Sequence, residues 1–119
     1  MTDAAFRILV IEDHAALGRF ISASLSSAGW VVVGPVADHA SAMQAVRSGQ
    51  FDFAVLDRML RGEEAHKVAE ALLASGMPCL LISGYDGSTL PRHLRGVPFL
   101  QKPFTTRELL AAVRAACRR

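Results

Sequence analysis

Short, densely apolar runs alternate along this chain with stretches in which apolar residues recur every three or four positions. Arg7–Glu12 is a near-continuous hydrophobic run of the kind a strand shows when both its faces are buried. Leu17, Phe20, Ile21 and Leu25 then recur at helical spacing until Gly29. Trp30–Val33 predicts a second strand. Asp38 or Ser41 is placed to cap a helix that turns Ala42, Met43 and Val46 inward and ends at Gly49. Phe53–Leu56 is the third strand, followed by a helix bearing Ala65, Val68, Ala69, Leu72 and Leu73 and closed by Gly76. Cys79–Ser83 and Val97–Leu100 are the fourth and fifth strands. Thr105 and Glu108 form a capping-box pair before a last helix with Leu109, Leu110 and Val113.

One stretch breaks the rhythm. Between Ser83 and Val97 the glycines and the central Pro91 disfavour a long helix, which predicts a mobile loop with at most one or two helical turns. Strands alternating with helices imply an α/β fold: a parallel, doubly wound sheet of five strands, its fourth helix short or poorly formed. Ligands of such sheets bind beyond the carboxyl ends of the strands.

Those ends carry the candidate chemistry. The first run stops at Glu12-Asp13, the third at Asp57, the fourth at Ser83, and the fifth is followed by Gln101-Lys102-Pro103. A carboxylate directly after a buried strand is costly unless something compensates its charge. Clustered carboxylates repel one another unless a cation intervenes. A set of oxygen ligands without histidine or thiolate selects a hard cation such as Mg2+. A carboxylate can also act as a nucleophile toward phosphorus, provided that a metal and a cationic side chain neutralise the phosphoryl oxygens. Ser83 and Lys102 supply a hydroxyl and that cation.

Composition narrows the alternatives. With 119 residues, 51% hydrophobic and 20% charged, the chain is expected to be one ordered domain over 1–119. A net charge of +2 gives no general nucleic-acid signature, and Arg114, Arg118 and Arg119 read as charges at a helix end. Cys79 and Cys117 have no metal-ligand spacing and are expected to be reduced and buried. His14, His39, His66 and His93 share no ligand spacing and read as surface residues. Neither a signal-peptide pattern nor a membrane-length apolar run is present, so a cytoplasmic protein is expected.

Glu12-Asp13, Asp57, Ser83 and Lys102-Pro103, in that order at successive strand ends, resemble the receiver domains of two-component response regulators over essentially the whole chain. The resemblance implies a flavodoxin-like fold with strand order 2-1-3-4-5. It implies that Asp57 accepts a phosphoryl group from a histidine kinase or phosphotransfer protein. Glu12, Asp13, Asp57 and the backbone carbonyl of Met59 would hold Mg2+, Lys102 would pair with the phosphoryl group, and the bond to Pro103 would be cis. In the family, an aromatic residue three positions before the lysine, here Phe99, moves with the hydroxyl. Positions two beyond the acceptor and two beyond the hydroxyl, here Met59 and Tyr85 (after Gly84), control hydrolytic water. Both are bulky, which predicts slow self-dephosphorylation.

Leu81-Ile82-Ser83-Gly84-Tyr85, Leu90-Pro91 and Pro98-Phe99-Leu100-Gln101-Lys102-Pro103-Phe104 are also similar to a subgroup of single-domain receivers. That subgroup carries a Phe-Ala-Thr-Gly-small-or-Tyr motif on the fourth strand and pairs with HWE and related histidine kinases. Leu81 and Ile82 depart from it, and Ser83 keeps the hydroxyl of its threonine. The expected function is a stand-alone phosphoacceptor without an output domain, acting by binding or as a phosphate sink, and not an enzyme. Two alternatives stand beside it. One is a pseudo-receiver that works unphosphorylated. The other is an aspartyl-phosphate phosphatase, which Met59 disfavours because a general-acid aspartate is usual there.

Overall fold

A computed structural model describes residues 5–118. Strand β1 (Arg7–Ile11) is followed by helix α1 (Ala15–Ser27), β2 (Val31–Val36), α2 (His39–Ser48) and β3 (Phe53–Asp57). A small hairpin, β4 (Met59–Leu60) and β5 (Glu63–Glu64), leads into α3 (His66–Ala74). Then come β6 (Cys79–Ser83), two single-turn 3-10 helices (Gly87–Thr89 and Arg92–Leu94), β7 (Phe99–Gln101) and α4 (Thr106–Cys117). The main sheet is parallel, in the order β2-β1-β3-β6-β7. With the hairpin set aside, this is the predicted 2-1-3-4-5 order. Arg119, part of the predicted basic end, lies outside the described residues.

The period of two along each strand divides the core into two halves. Ile8, Val10, Val55, Leu80 and Ile82 face Ile21 and Leu25 of α1 and Leu109 and Val113 of α4. Their sequence neighbours Leu9, Ile11, Ala54, Leu56 and Leu81 face α2, α3 and the 3-10 segment. Because β3 is covered on both sides, all of its residues are buried, and it delivers Asp57 to the carboxyl edge of the sheet.

Several boundaries differ from the sequence expectation. β2 starts one residue late and runs on to Val36, through Gly34 and a cis bond to Pro35. Gly34 sits at φ +98, where a Cβ would meet the Val10 carbonyl oxygen at 2.9 Å. The strand thus continues where Gly-Pro reads as a stop, with a register shift opposite Leu9 and Ile11. The fifth sheet strand is Phe99–Gln101, two residues beyond its predicted start, because Pro98 has no N–H to donate. Asp38 rather than Ser41 caps α2, accepting the Ser41 N–H at 2.7 Å. The Thr105–Glu108 capping box is formed. Cys79 is buried, whereas Cys117 is exposed, because the α4 face that turns inward carries Leu109, Val113 and Ala116 instead.

The segment expected as a mobile loop is anchored. Leu90 and Leu94 are fully enclosed in the core beside α3, filling the space a regular helix would cover. Arg95 adds hydrogen bonds from Nε to the Leu90 carbonyl at 2.9 Å and from Nη2 to the Ser88 carbonyl at 3.3 Å.

Candidate functional site

The predicted residues come together at the carboxyl edge of the sheet. Glu12 and Asp13 follow β1, Asp57 ends β3, Ser83 ends β6, and Lys102 follows β7. Glu12, Asp57, Ser83 and Lys102 line one open cavity of about 790 Å3, with Met59 and Tyr85 on its flanks. One carboxylate oxygen from each of Glu12, Asp13 and Asp57 lies within 4.8 Å of the others. Lys102 Nζ donates to Asp57 Oδ2 at 2.7 Å and compensates a carboxylate that is only 4% exposed. Lys102 is placed by its own N–H, which donates to the Ser83 carbonyl at 2.7 Å, and its bond to Pro103 is cis, as expected.

Glu12 is the anomalous group. One of its oxygens, Oε2, accepts the His14 N–H at 3.0 Å, while Oε1 is buried with no donor. Burial, reinforced by the neighbouring Asp57, pushes its carboxyl up to about 8, against which the His14 N–H and Lys102 act only partly. A buried carboxylate with one oxygen lacking a hydrogen-bond partner, grouped with two further carboxylates within 4.8 Å, suits a hard divalent cation. The donor set therefore fits Mg2+.

The hairpin after β3 sets the near flank. Arg61 (φ +54) and Gly62 (φ +78) form a two-residue turn of the kind that matches strand twist. The Leu60–Glu63 and Arg58–Ala65 pairs face one another across it, and the Ala65 N–H donates to the Arg58 carbonyl at 2.7 Å. Alternation of an antiparallel ladder then turns the backbone of Met59 away from Glu64. Its N–H donates to Asp57 Oδ1 at 2.9 Å, and its carbonyl shares that outward edge. The Arg61 N–H holds Asp13 Oδ2 at 3.0 Å.

On the far flank, Ser83 is buried, and its Oγ accepts the Tyr85 N–H at 2.9 Å. Gly84 is open on its Cβ side, and Tyr85 is 62% exposed. Phe99 is partly buried against the core half that holds the 3-10 segment. His14, expected as an unengaged surface residue, is exposed but caps α1, with Nδ1 accepting the Leu17 N–H at 3.3 Å.

The sequence reading missed Arg58. Only 5% exposed, it follows Asp57 directly and reaches across to Glu64 and Thr89. The available signal was a charged residue inside the apolar stretch Phe53–Leu60, with an acid pair, Glu63-Glu64, a short turn away.

This arrangement of acids, hydroxyl and lysine agrees with the match found for the chain. Residues 8–114 fit the family model of the response regulator receiver domain. The chain belongs to that family. It is 34% identical to SdrG from Sphingomonas melonis Fr1, whose solution structure superposes with a TM-score of 0.84 over 99% of this chain and 100% of that one. The beryllofluoride-activated conformation of SdrG from Pseudomonas melonis Fr1 gives a TM-score of 0.79 at the same identity, over 98% of each chain. The probable transcriptional regulatory protein SilR of Salmonella typhimurium is 32% identical over 95% of this chain but only 51% of its own length. The chain thus spans about half the length of the curated relatives it matches. Among the described residues no helix is long and apolar enough to cross a membrane.

Proposed function

We propose that this receiver accepts a phosphoryl group on Asp57 in a Mg2+-dependent reaction and signals through the surface that responds. The observation carrying this reading is the Lys102–Asp57 contact at 2.7 Å, with one oxygen each of Glu12 and Asp13 within 4.8 Å of the Asp57 carboxylate. An Asp57 oxygen attacks phosphorus, a P–O bond forms, and the bond to the donor, a phosphohistidine nitrogen in a kinase or phosphotransfer protein, breaks. Lys102 transfers its charge contact from the carboxylate to the phosphoryl oxygens, and Ser83 turns its O–H toward one of them. Glu12, Asp13, Asp57 and the outward carbonyl of Met59 would hold Mg2+, which would supply charge neutralisation for the transfer.

Met59 and Tyr85 flank the acceptor with apolar bulk, and neither offers a carboxamide or carboxylate to orient water. This favours a long-lived acyl phosphate and argues against turnover as a phosphatase. Phe99, next to the 3-10 segment, is the side chain placed to carry the change outward. The partner is assigned as a histidine kinase, of the HWE-related type through the Ser83-Gly84-Tyr85 resemblance. The domain signals by phosphorylation-dependent protein binding or drains phosphate as a sink, within the cytoplasm.

Titrating the isotopically labelled protein with beryllofluoride and Mg2+ tests this reading by NMR. Amide shifts are expected around Glu12-Asp13, Asp57–Gly62, Ser83–Tyr85 and Lys102 in wild type, and none in Asp57→Asn. A wild type without response would leave the unphosphorylated adaptor as the correct reading.

A further inference from the structure

Arg58 is the one buried cation of the described residues, and a buried guanidinium is destabilising unless its donors are met. Here the fork is shared between two segments distant in sequence. Nε and Nη2 grip Glu64 at 3.0 and 3.1 Å, on the second strand of the hairpin. Nη2 also donates to the Thr89 carbonyl at 3.0 Å, and Nη1 to the Thr89 hydroxyl. Thr89 closes the first 3-10 turn, and its hydroxyl donates on to the Asp86 carbonyl at 3.0 Å. The guanidinium carbon lies 5.8 Å from the centroid of the Tyr85 ring. The main chain of the same residue is fixed between β6 and the hairpin: its N–H donates to the Ile82 carbonyl at 2.8 Å, and its carbonyl accepts the Ala65 N–H.

One side chain therefore joins the hairpin bearing Met59 to the turn bearing Tyr85, the two flanks of the acceptor cavity. Among the described residues no other hydrogen bond or ion pair joins the two segments, and each is short: the hairpin is two residues per strand, and the turn is a single 3-10 helix. A planar, bidentate group is what fixes both distance and angle between them, and a point-charge lysine does not reproduce it.

We propose that Arg58 is a positioning residue that clamps the two flanks of the acceptor cavity together and thereby sets how long the phosphoryl group on Asp57 survives. The lifetime part rests on the phosphoacceptor reading above. The clamp itself does not.

The test compares wild type with Arg58→Ala, Arg58→Lys and Glu64→Gln, using two readouts. Hydrogen exchange on the unphosphorylated proteins reads the clamp, and the rate at which label is lost after charging by a small acyl phosphate with Mg2+ reads the lifetime. Arg58→Ala is expected to speed exchange in Met59–Glu64 and Tyr85–Leu90 together. It should also shorten the phosphoryl lifetime on the order of tenfold, the scale of one lost charge-assisted hydrogen bond. Arg58→Lys keeps the cation and is expected to keep wild-type thermal stability while still losing label faster, a split that a purely structural role would not give. Glu64→Gln should change both readouts in the same direction by less. Folded variants with wild-type exchange in both segments, or with exchange changed in one segment alone, would overturn the clamp. Wild-type rates of label loss in Arg58→Ala and Arg58→Lys would overturn its role in lifetime. A wild type that takes no label refutes the phosphoacceptor reading and the lifetime role with it, while exchange still decides the clamp.

Discussion

On one side of the sheet α1 and α4 lay long apolar faces directly on Ile8, Val10, Val55 and Ile82, and the two helices lock to each other. Ser24 Oγ and Thr106 Oγ1 are 2.7 Å apart, Phe20 and Phe104 have ring centroids 6.1 Å apart, and each helix has a side-chain N-cap. On the other side α2 is capped by Asp38, but α3 follows Ala65 with no capping side chain, and the place of a further helix is taken by two 3-10 turns. Where those turns stand, the sheet is covered by single leucines, Leu90 and Leu94, and the turns are tied by arginines that reach from one segment to another. The difference teaches where a change at Asp57 has room to spread. Regular helices resist piecemeal movement, while short turns tied by a few polar contacts have low local stability. Asp57 and Lys102 are bonded to the second side, Asp57 through the Met59 N–H of the hairpin and Lys102 through the Ser83 carbonyl, while the Ser83 hydroxyl holds the Tyr85 N–H.

Cutting one anchor from each side gives the largest contrast. Leu25→Ala, in the helical half, is expected to cost about 3 kcal/mol in a denaturant titration, and Leu94→Ala about 2 kcal/mol, because two single turns collapse into a void more easily than packed helices do. Exchange should separate them further. Leu25→Ala raises it across the whole domain, while Leu94→Ala raises it mainly between Gly84 and Val97. Equal, global effects from both would break the comparison.

The next effect comes from the acid cluster between the two halves. Glu12 is raised from 4.5 to about 8 in the metal-free fold, so the fold binds this proton more tightly than the unfolded chain does. Its contribution is complete below the unfolded value of 4.5 and is lost as pH rises through about 8. In chelator, the thermal midpoint is expected to fall across that window. Glu12→Gln removes the slope, and Mg2+, which takes the place of the proton, should bind more tightly as pH rises toward 8. A midpoint in chelator that does not move across the window would place Glu12 in its ordinary range.

The smallest effect sharpens the comparison from the helical side. Thr105→Ala removes half of the capping box and is expected to cost about 1 kcal/mol in a urea titration, leaving exchange in the 84–96 segment at wild-type rates.

Much of this was legible in the residues alone. Strand and helix periods gave the order of the elements, and the acids, Ser83 and Lys102-Pro103 gave the site, because a charge next to a buried strand is rare enough to be informative. What was missed depends on tertiary geometry. Gly34-Pro35 reads as a stop, yet β2 passes through it, because a glycine admits the close approach to the Val10 carbonyl. Arg61-Gly62 is not among the usual hairpin pairs, so β4 and β5 left no signal. Leu90 and Leu94 sit at helical spacing, but Pro91 and the flanking glycines hid their role as anchors. Arg58 looked like any charged loop residue until the fold enclosed it.

The central claim is that Asp57 is the phosphoacceptor of this domain, and the most direct test is the intact mass of the protein after incubation with a small acyl phosphate and Mg2+. The account predicts addition of one phosphoryl group, mapped to Asp57, abolished by chelator and absent from Asp57→Asn. An unmodified wild-type protein, or a modification that persists in Asp57→Asn, would contradict it.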